Sequence, residues 1–220
     1  MPTHPMNPEF ASIYKALRVE VTWLHARWIT YSQLFSHSEL RVDLLNECAR
    51  SHFHFIHEVL LNDLFLALCK LTDPAIQGKS ENLSMERLQK LLEATGDPLL
   101  AAECKATLQG LETYAAPMKV LRNKQLAHLD LAVALEEGAD PLPPIAKKQI
   151  DEALSLLRKY LNAIELHYNK NEWGYEHFLM TGTDSNALVN VLRDGLRYEQ
   201  LVTEEVIPYG DHLQSPWRDA

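Results

Sequence analysis

From about residue 9 to residue 203 the apolar side chains return every third or fourth position and nowhere settle into sustained alternation. That period belongs to helices with one face turned inward, whereas a strand needs a period of two. Ile13, Leu17, Val21, Leu24 and Trp28 form one such stripe, and Ile150, Leu154, Leu157, Leu161 and Ile164 form another. Glycine is scarce, with 8 among 220 residues, and the prolines gather at the two ends and at a few breaks. The expected fold is all-α, a bundle of long antiparallel helices numbering about seven.

The breaks set the boundaries. A first helix is expected from about Glu9 to Phe35. A second runs from near Ser38 to Asp73-Pro74, because proline disfavours a helical residue before it. Ser84 opens a short helix, and Gly96-Asp97-Pro98 stops it and starts the next. Pro117 breaks or kinks the chain before a further helix to about Leu135. The loop 138–144 follows, then a helix from Ala146 to Tyr168 and a last one capped by Asp184 or Ser185. In domain terms this gives a disordered N-terminus over 1–8, a helical bundle over 9–170, a helical appendage packed on it over 171–203, and an irregular tail over 204–220.

A net charge of -9 argues against broad wrapping of duplex DNA, which needs clustered Lys and Arg. A local basic pocket for one phosphodiester remains compatible with it. Cys48, Cys69 and Cys104 are odd in number, far apart and without a CxxC, which fits a reducing cytoplasm rather than a disulfide framework or a thiolate zinc site. No secretion signal is read in MPTHPMNPEF, and no uninterrupted apolar run reaches the roughly 18 residues of a membrane span. The expectation is a cytoplasmic protein with no membrane partner.

Two polar groups lie on the second helix. SHFHFIHE places His54, His57 and Glu58 on one face, a spacing that can bind a divalent metal. The stripe continues as Glu47, Arg50, Ser51 and Asn62, a solvated face, and no second ligand cluster accompanies it, so no metal is expected. His52 and Asp63 instead share the stripe of Leu45, Cys48, Ile56 and Val59 and should point toward the core. A buried carboxylate needs a partner, which makes Asp63 either a structural ion pair or a residue orienting Arg122 or Asn123.

The segment LRNKQLAHLD, residues 121–130, departs most from its surroundings. Read as a helix it is apolar nearly all round, and so belongs inside a bundle or at a subunit interface, yet Arg122 and His128 interrupt its stripes. These residue types suit metal-free RNA scission, in which a 2′-hydroxyl attacks the adjacent phosphorus. Histidine moves the proton, contributing typically ~10²–10⁴-fold. Arginine matches the phosphoryl oxygens on which charge grows. Asn123 can orient either group, and Lys119, Lys124, Lys147 and Lys148 are placed to line a basic groove. Other Arg–His spacings, such as Arg18 with His25 and Arg50 with His57, also occur, but without the flanking Asn123, Ala127 and Asp130.

RNKQLAHLD, residues 122–130, resembles the Arg-polar-x₃₋₅-His signature of the HEPN superfamily, often written RNKxxAHxD. The second helix ending in KLTDP (70–74), the PLPPI lead into the next long helix, and VLRDGLRY (191–198) make the chain similar to the AbiU-type abortive-infection branch over roughly residues 10–200. The resemblance implies an all-α homodimer whose motif helices face each other across a cleft, and a metal-independent endoribonuclease with no cofactor in a toxin or phage-defence role. By the same analogy Arg122 and His128 are catalytic, and Asn123 supports them. Lys124, Asp130 and Asp63 are candidates to support them or bind RNA. On a continuous helix Arg122 and His128 stand about 9 Å apart in rise and on different sides, so two symmetric copies would complete a site that one chain cannot. The same signature occurs in HEPN-like proteins that bind RNA or only scaffold; there Arg122 and His128 would hold helices together with Asp63 or Asp130 as ionic partners. A third reading is a metal-dependent enzyme using His54, His57 and Glu58. HEPN toxins paired with a nucleotidyltransferase antitoxin usually carry Tyr two residues after the His; Asp130 stands there instead, which leaves any antitoxin partner unassigned.

Overall fold

Helical period and capping residues translate directly into elements in the computed structural model, which describes residues 6–127, 130–135, 141–177, 182–208 and 210. Among them are seven α-helices: α1 (Pro8–Phe35), α2 (Glu39–Leu71), α3 (Met85–Glu93), α4 (Pro98–Leu121), α5 (Leu131–Ala134), α6 (Lys147–Asn169) and α7 (Ser185–Thr203). The expected all-α class and helix number hold. The one strand pairing among the described residues is a two-residue antiparallel ribbon, Ile76–Gln77 with Ser80–Glu81, in the loop after α2. Residues 1–5, His128, Leu129, the start of the 138–144 loop and the tail beyond 210 lie outside the described residues.

The caps behave as their chemistry requires. Ser84 Oγ accepts from the Arg87 amide at 3.4 Å, Asp97 Oδ1 from Leu100 at 3.0 Å, and Asp184 Oδ1 from Ala187 at 3.3 Å. Each satisfies an amide that the first turn leaves without a helical partner, typically worth ~1 kcal/mol.

Contacts divide the chain into two compact units, Met1–Ile29 with Val59–Phe178, and Thr30–Glu58 with Leu179–Ala220. In the first unit α4 packs on α6 and α3 on α4. Helix α1 runs antiparallel to α6: Phe10 meets Tyr168, the Tyr14 hydroxyl donates to Glu165 at 2.5 Å, and Trp28 Nε1 donates to Asp151 at 2.8 Å. Leu17, Val21, Leu24, Leu154, Leu157, Leu161 and Ile164, the stripes read from the period, are all buried here. Each such side chain contributes about 1.5–3 kcal/mol by leaving water. A polar chain crosses this core from the Tyr160 hydroxyl to Gln89 Oε1 at 3.0 Å, and from Gln89 Nε2 to the Ala101 carbonyl at 3.0 Å.

In the second unit, Gln33 near the end of α1 bridges to the start of α7. Its Nε2 donates to Asp184 at 2.8 Å and its Oε1 accepts from the Ser185 amide at 3.2 Å. Arg41 donates to Asn186 Oδ1 at 2.8 Å and to the Gln33 carbonyl.

Helix α2 corrects one expectation. Ala49 takes an extended conformation (φ -164, ψ 70) inside it. A non-helical residue interrupts the 3.6 period, so the stripe read from Leu45 cannot be continued through it. Past Ala49 the buried side chains of α2 are Phe53, Leu64, Phe65, Leu68, Cys69 and Leu71, whereas His52 and Asp63, expected to point inward, are exposed. No helix among the described residues is long and apolar enough to cross a membrane.

Candidate functional site

The end of α2 and the end of α4 meet at two side chains one helical turn apart. Pro74 forbids α2 from continuing, which leaves the carbonyls of its last turn to find donors elsewhere. Lys119 Nζ supplies one, donating to the Thr72 carbonyl at 2.7 Å while pairing with Glu112 Oε2 at 2.7 Å. Three residues on, Arg122 Nη1 donates to both carboxylate oxygens of Asp73, at 2.7 and 2.9 Å, with the two side chains only 19% and 17% exposed. Arg122 Nε donates to Asn123 Oδ1 at 3.0 Å. The guanidinium is thus held through Nη1 and Nε, and its Nη2 makes no hydrogen bond among the described residues. Beneath it, burial pushes the Cys69 thiol up to about 11, while the Arg122 charge pulls in the opposite direction.

The backbone under Arg122 is not the continuous helix that the sequence suggests. Helix α4 runs through Pro117, tolerating the missing amide, and ends at Leu121. Arg122–Leu126 is a π-helical turn, closed by the Ala127 amide on the Arg122 carbonyl at 2.7 Å. Asp130 then caps α5, its Oδ1 accepting from the Val133 amide at 3.2 Å. The wider turn admits an extra residue and redirects the side chains after it, a feature frequent at functional sites. The estimate of a 9 Å helical rise between Arg122 and His128 therefore does not apply, and His128 itself lies outside the described residues.

The remaining candidates fall as follows. Asn123 sits beside Arg122 and is exposed, and Lys124 is half-buried. Asp130 is exposed and serves as a helix cap. Asp63 pairs with Arg27 Nε at 2.7 Å and is 52% exposed, so it does not orient Arg122. The residue that does is Asp73, within the KLTDP stretch but not singled out; a carboxylate placed where proline ends a helix was the available signal. Of the expected groove lysines, Lys147 and Lys148 are exposed on the first turn of α6, but Lys119 is committed to Glu112 and Thr72. His57 accepts or donates to the Tyr31 hydroxyl at 3.0 Å and meets Glu58 at 3.2 Å, while His54 is exposed; among the described residues no group of three such side chains is placed to hold a metal ion.

Nor is the motif segment internal. None of Arg122–Leu126 is buried, and Val120, Leu131 and Leu135 around it are 41%, 73% and 54% exposed. The family model described as AbiU2, of the HEPN class, matches residues 7–185. The chain belongs to this AbiU2 family. No curated protein and no solved structure matches it. In this AbiU2-family chain the matched region spans both helices that build the Arg122–Asp73 pair.

Proposed function

We propose that this AbiU2-family protein is a metal-independent endoribonuclease acting in a toxin or phage-defence role, cleaving RNA by 2′-hydroxyl attack with Arg122 and His128 as its catalytic pair. The observation that carries the reading is the holding of Arg122: Asp73 binds the guanidinium through Nη1 alone and leaves Nη2 for a phosphate oxygen. Arginine at such a position stabilises the charge that grows as the 2′-oxygen attacks phosphorus. His128, six residues on, supplies the proton transfer in this reading, Asn123 supports Arg122, and Lys124, Lys147 and Lys148 attract the strand. A second copy of the chain completes the cleft, and the exposed apolar rim of Val120, Leu131 and Leu135 is the surface that a symmetric dimer would bury. The chain acts in the cytoplasm, without a cofactor, and neither DNA nor a membrane is a partner.

The same ion pair also favours a second reading, in which the domain binds RNA or a protein without cleaving, because Asp73 already satisfies the Arg122 charge. Incubation of purified protein with total cellular RNA in excess chelator, beside His128→Ala, separates the two. New fragments ending in cyclic phosphate, absent with the variant, are the expected result. Intact RNA in the presence of a folded protein transfers the proposal to the binding module.

A further inference from the structure

A cavity of 450 Å³ opens between the middle of α1 and the segment 173–177, both within the first unit. Two tryptophans on its lining, Trp23 and Trp173, are 51% and 45% exposed, which is unusual for the largest apolar side chain. The cleft is built rather than left over. Asn162 on α6 clamps the Trp173 backbone from both sides, its Nδ2 donating to the Trp173 carbonyl at 3.1 Å and its Oδ1 accepting the Trp173 amide at 3.0 Å. Gly174 allows the turn to close, since a Cβ there would stand 3.2 Å from the ring of His177.

The charge in the cleft points to its ligand. The Arg18 guanidinium lies over the Trp173 ring, 4.5 Å from its centroid, and it has no carboxylate partner among the described residues. A guanidinium resting over a ring and without a carboxylate keeps N–H donors for an acceptor, and phosphate is the acceptor that its fork matches. His177 also lies on the lining. Tyr175, buried on the same lining, has a hydroxyl with no hydrogen-bond partner among the described residues. An exposed indole beside an uncompensated guanidinium is complementary to a flat base carrying a phosphate.

We propose that this cleft binds a nucleoside phosphate, with the base against Trp23 and the phosphate on the N–H edge of Arg18. The ligand is a free nucleotide or one residue of a single-stranded RNA, and the site is separate from Arg122. Binding is read by ligand-detected NMR titration with AMP, a short oligoadenylate and ribose 5-phosphate, using wild type, Arg18→Gln and Trp23→Leu. Base-dependent, saturable binding is expected, weakened about tenfold or more in Arg18→Gln and in Trp23→Leu, in line with the worth of one stacked base or one phosphate fork. Binding of AMP that the cleft variants weaken assigns a free nucleotide, and binding of the oligoadenylate alone, weakened by the same variants, assigns an RNA strand. Equal binding of ribose 5-phosphate, no saturable binding of any of the three, or unaltered affinity in both cleft variants overturns the proposal. Trp23 is half-exposed, so its replacement leaves a folded control even if Arg18→Gln proves unstable.

Discussion

Arg122 reaches across 49 positions of sequence to grip both oxygens of Asp73 through a single nitrogen, Nη1. The pair lies mostly out of water, so each partner depends on the other. Removing one leaves an uncompensated charge, and Asp73→Ala is expected to cost about 2 kcal/mol in urea unfolding, less than the full penalty of a deeply buried pair. In a double-mutant cycle, Asp73→Asn with Arg122→Gln should show a coupling of about 1 kcal/mol or more. Strictly additive losses would mean that the two side chains do not act as a unit.

Arg122→Ala confounds catalysis with stability for the same reason, and Arg122→Lys is the cleaner variant. It keeps a cation for Asp73 but loses the planar fork. If the proposed chemistry holds, cleavage should fall by at least about 10²-fold, as when one preorganised donor is lost from a transition state. Unfolding should move by less than about 1 kcal/mol, the scale of a single altered hydrogen bond. A variant that cuts RNA as wild type does would remove Arg122 from the reaction.

Lys119 is expected to matter more to stability than to RNA. Its ammonium caps the end of α2 through the Thr72 carbonyl while pairing with Glu112. Lys119→Met should lower stability by about 1–2 kcal/mol through the orphaned carbonyl. RNA affinity, measured by filter binding of the folded variant, should change little; a large loss there with unchanged melting would restore Lys119 to the groove.

His25 makes the fold sensitive to mild acid. Its Nδ1 bonds the Val21 carbonyl at 2.8 Å, its Nε2 faces Arg158 at 3.4 Å, and burial lowers its pKa from 6.5 to about 4. Between those two values the unfolded chain carries the proton and the folded one does not, so stability rises with pH across the window and is lost as pH falls through it. The contribution is about 3 kcal/mol for a shift of this size. In His25→Gln the dependence of unfolding free energy on pH between about 4 and 6.5 should shrink by a comparable amount. An unaltered slope would show that other groups carry the effect.

Tyr160→Phe tests the polar chain inside the first unit. The hydroxyl is the donor to Gln89 Oε1, and removing it leaves that oxygen unsatisfied beside a buried ring. A loss of about 1–2 kcal/mol in thermal or urea unfolding is expected.

Much of the fold was legible in the sequence because it rests on local physics. A 3.6-residue apolar period, Ser84, Asp97 and Asp184 ahead of helical runs, and Pro74 after one each act within a few residues of themselves, and each appears where its chemistry places it. Arg122 and Asn123 stood out for the same reason, as polar groups breaking a local pattern. Where the reading failed, a single backbone event had changed the register: an extended Ala49 turned His52 and Asp63 out to solvent, and a π-helical turn replaced the helix assumed under Arg122. Neither leaves a residue-type signature, because both are compromises between helix continuation and distant packing. Only the tertiary structure chose Asp73 over Asp63 as the partner of Arg122 and assigned Lys119 to Thr72 and Glu112. An ion pair spanning 49 residues is decided by which helix ends meet. Sequence alone determined that helices would form and where most of them would stop; which of their charges touch followed from the packing of their apolar faces.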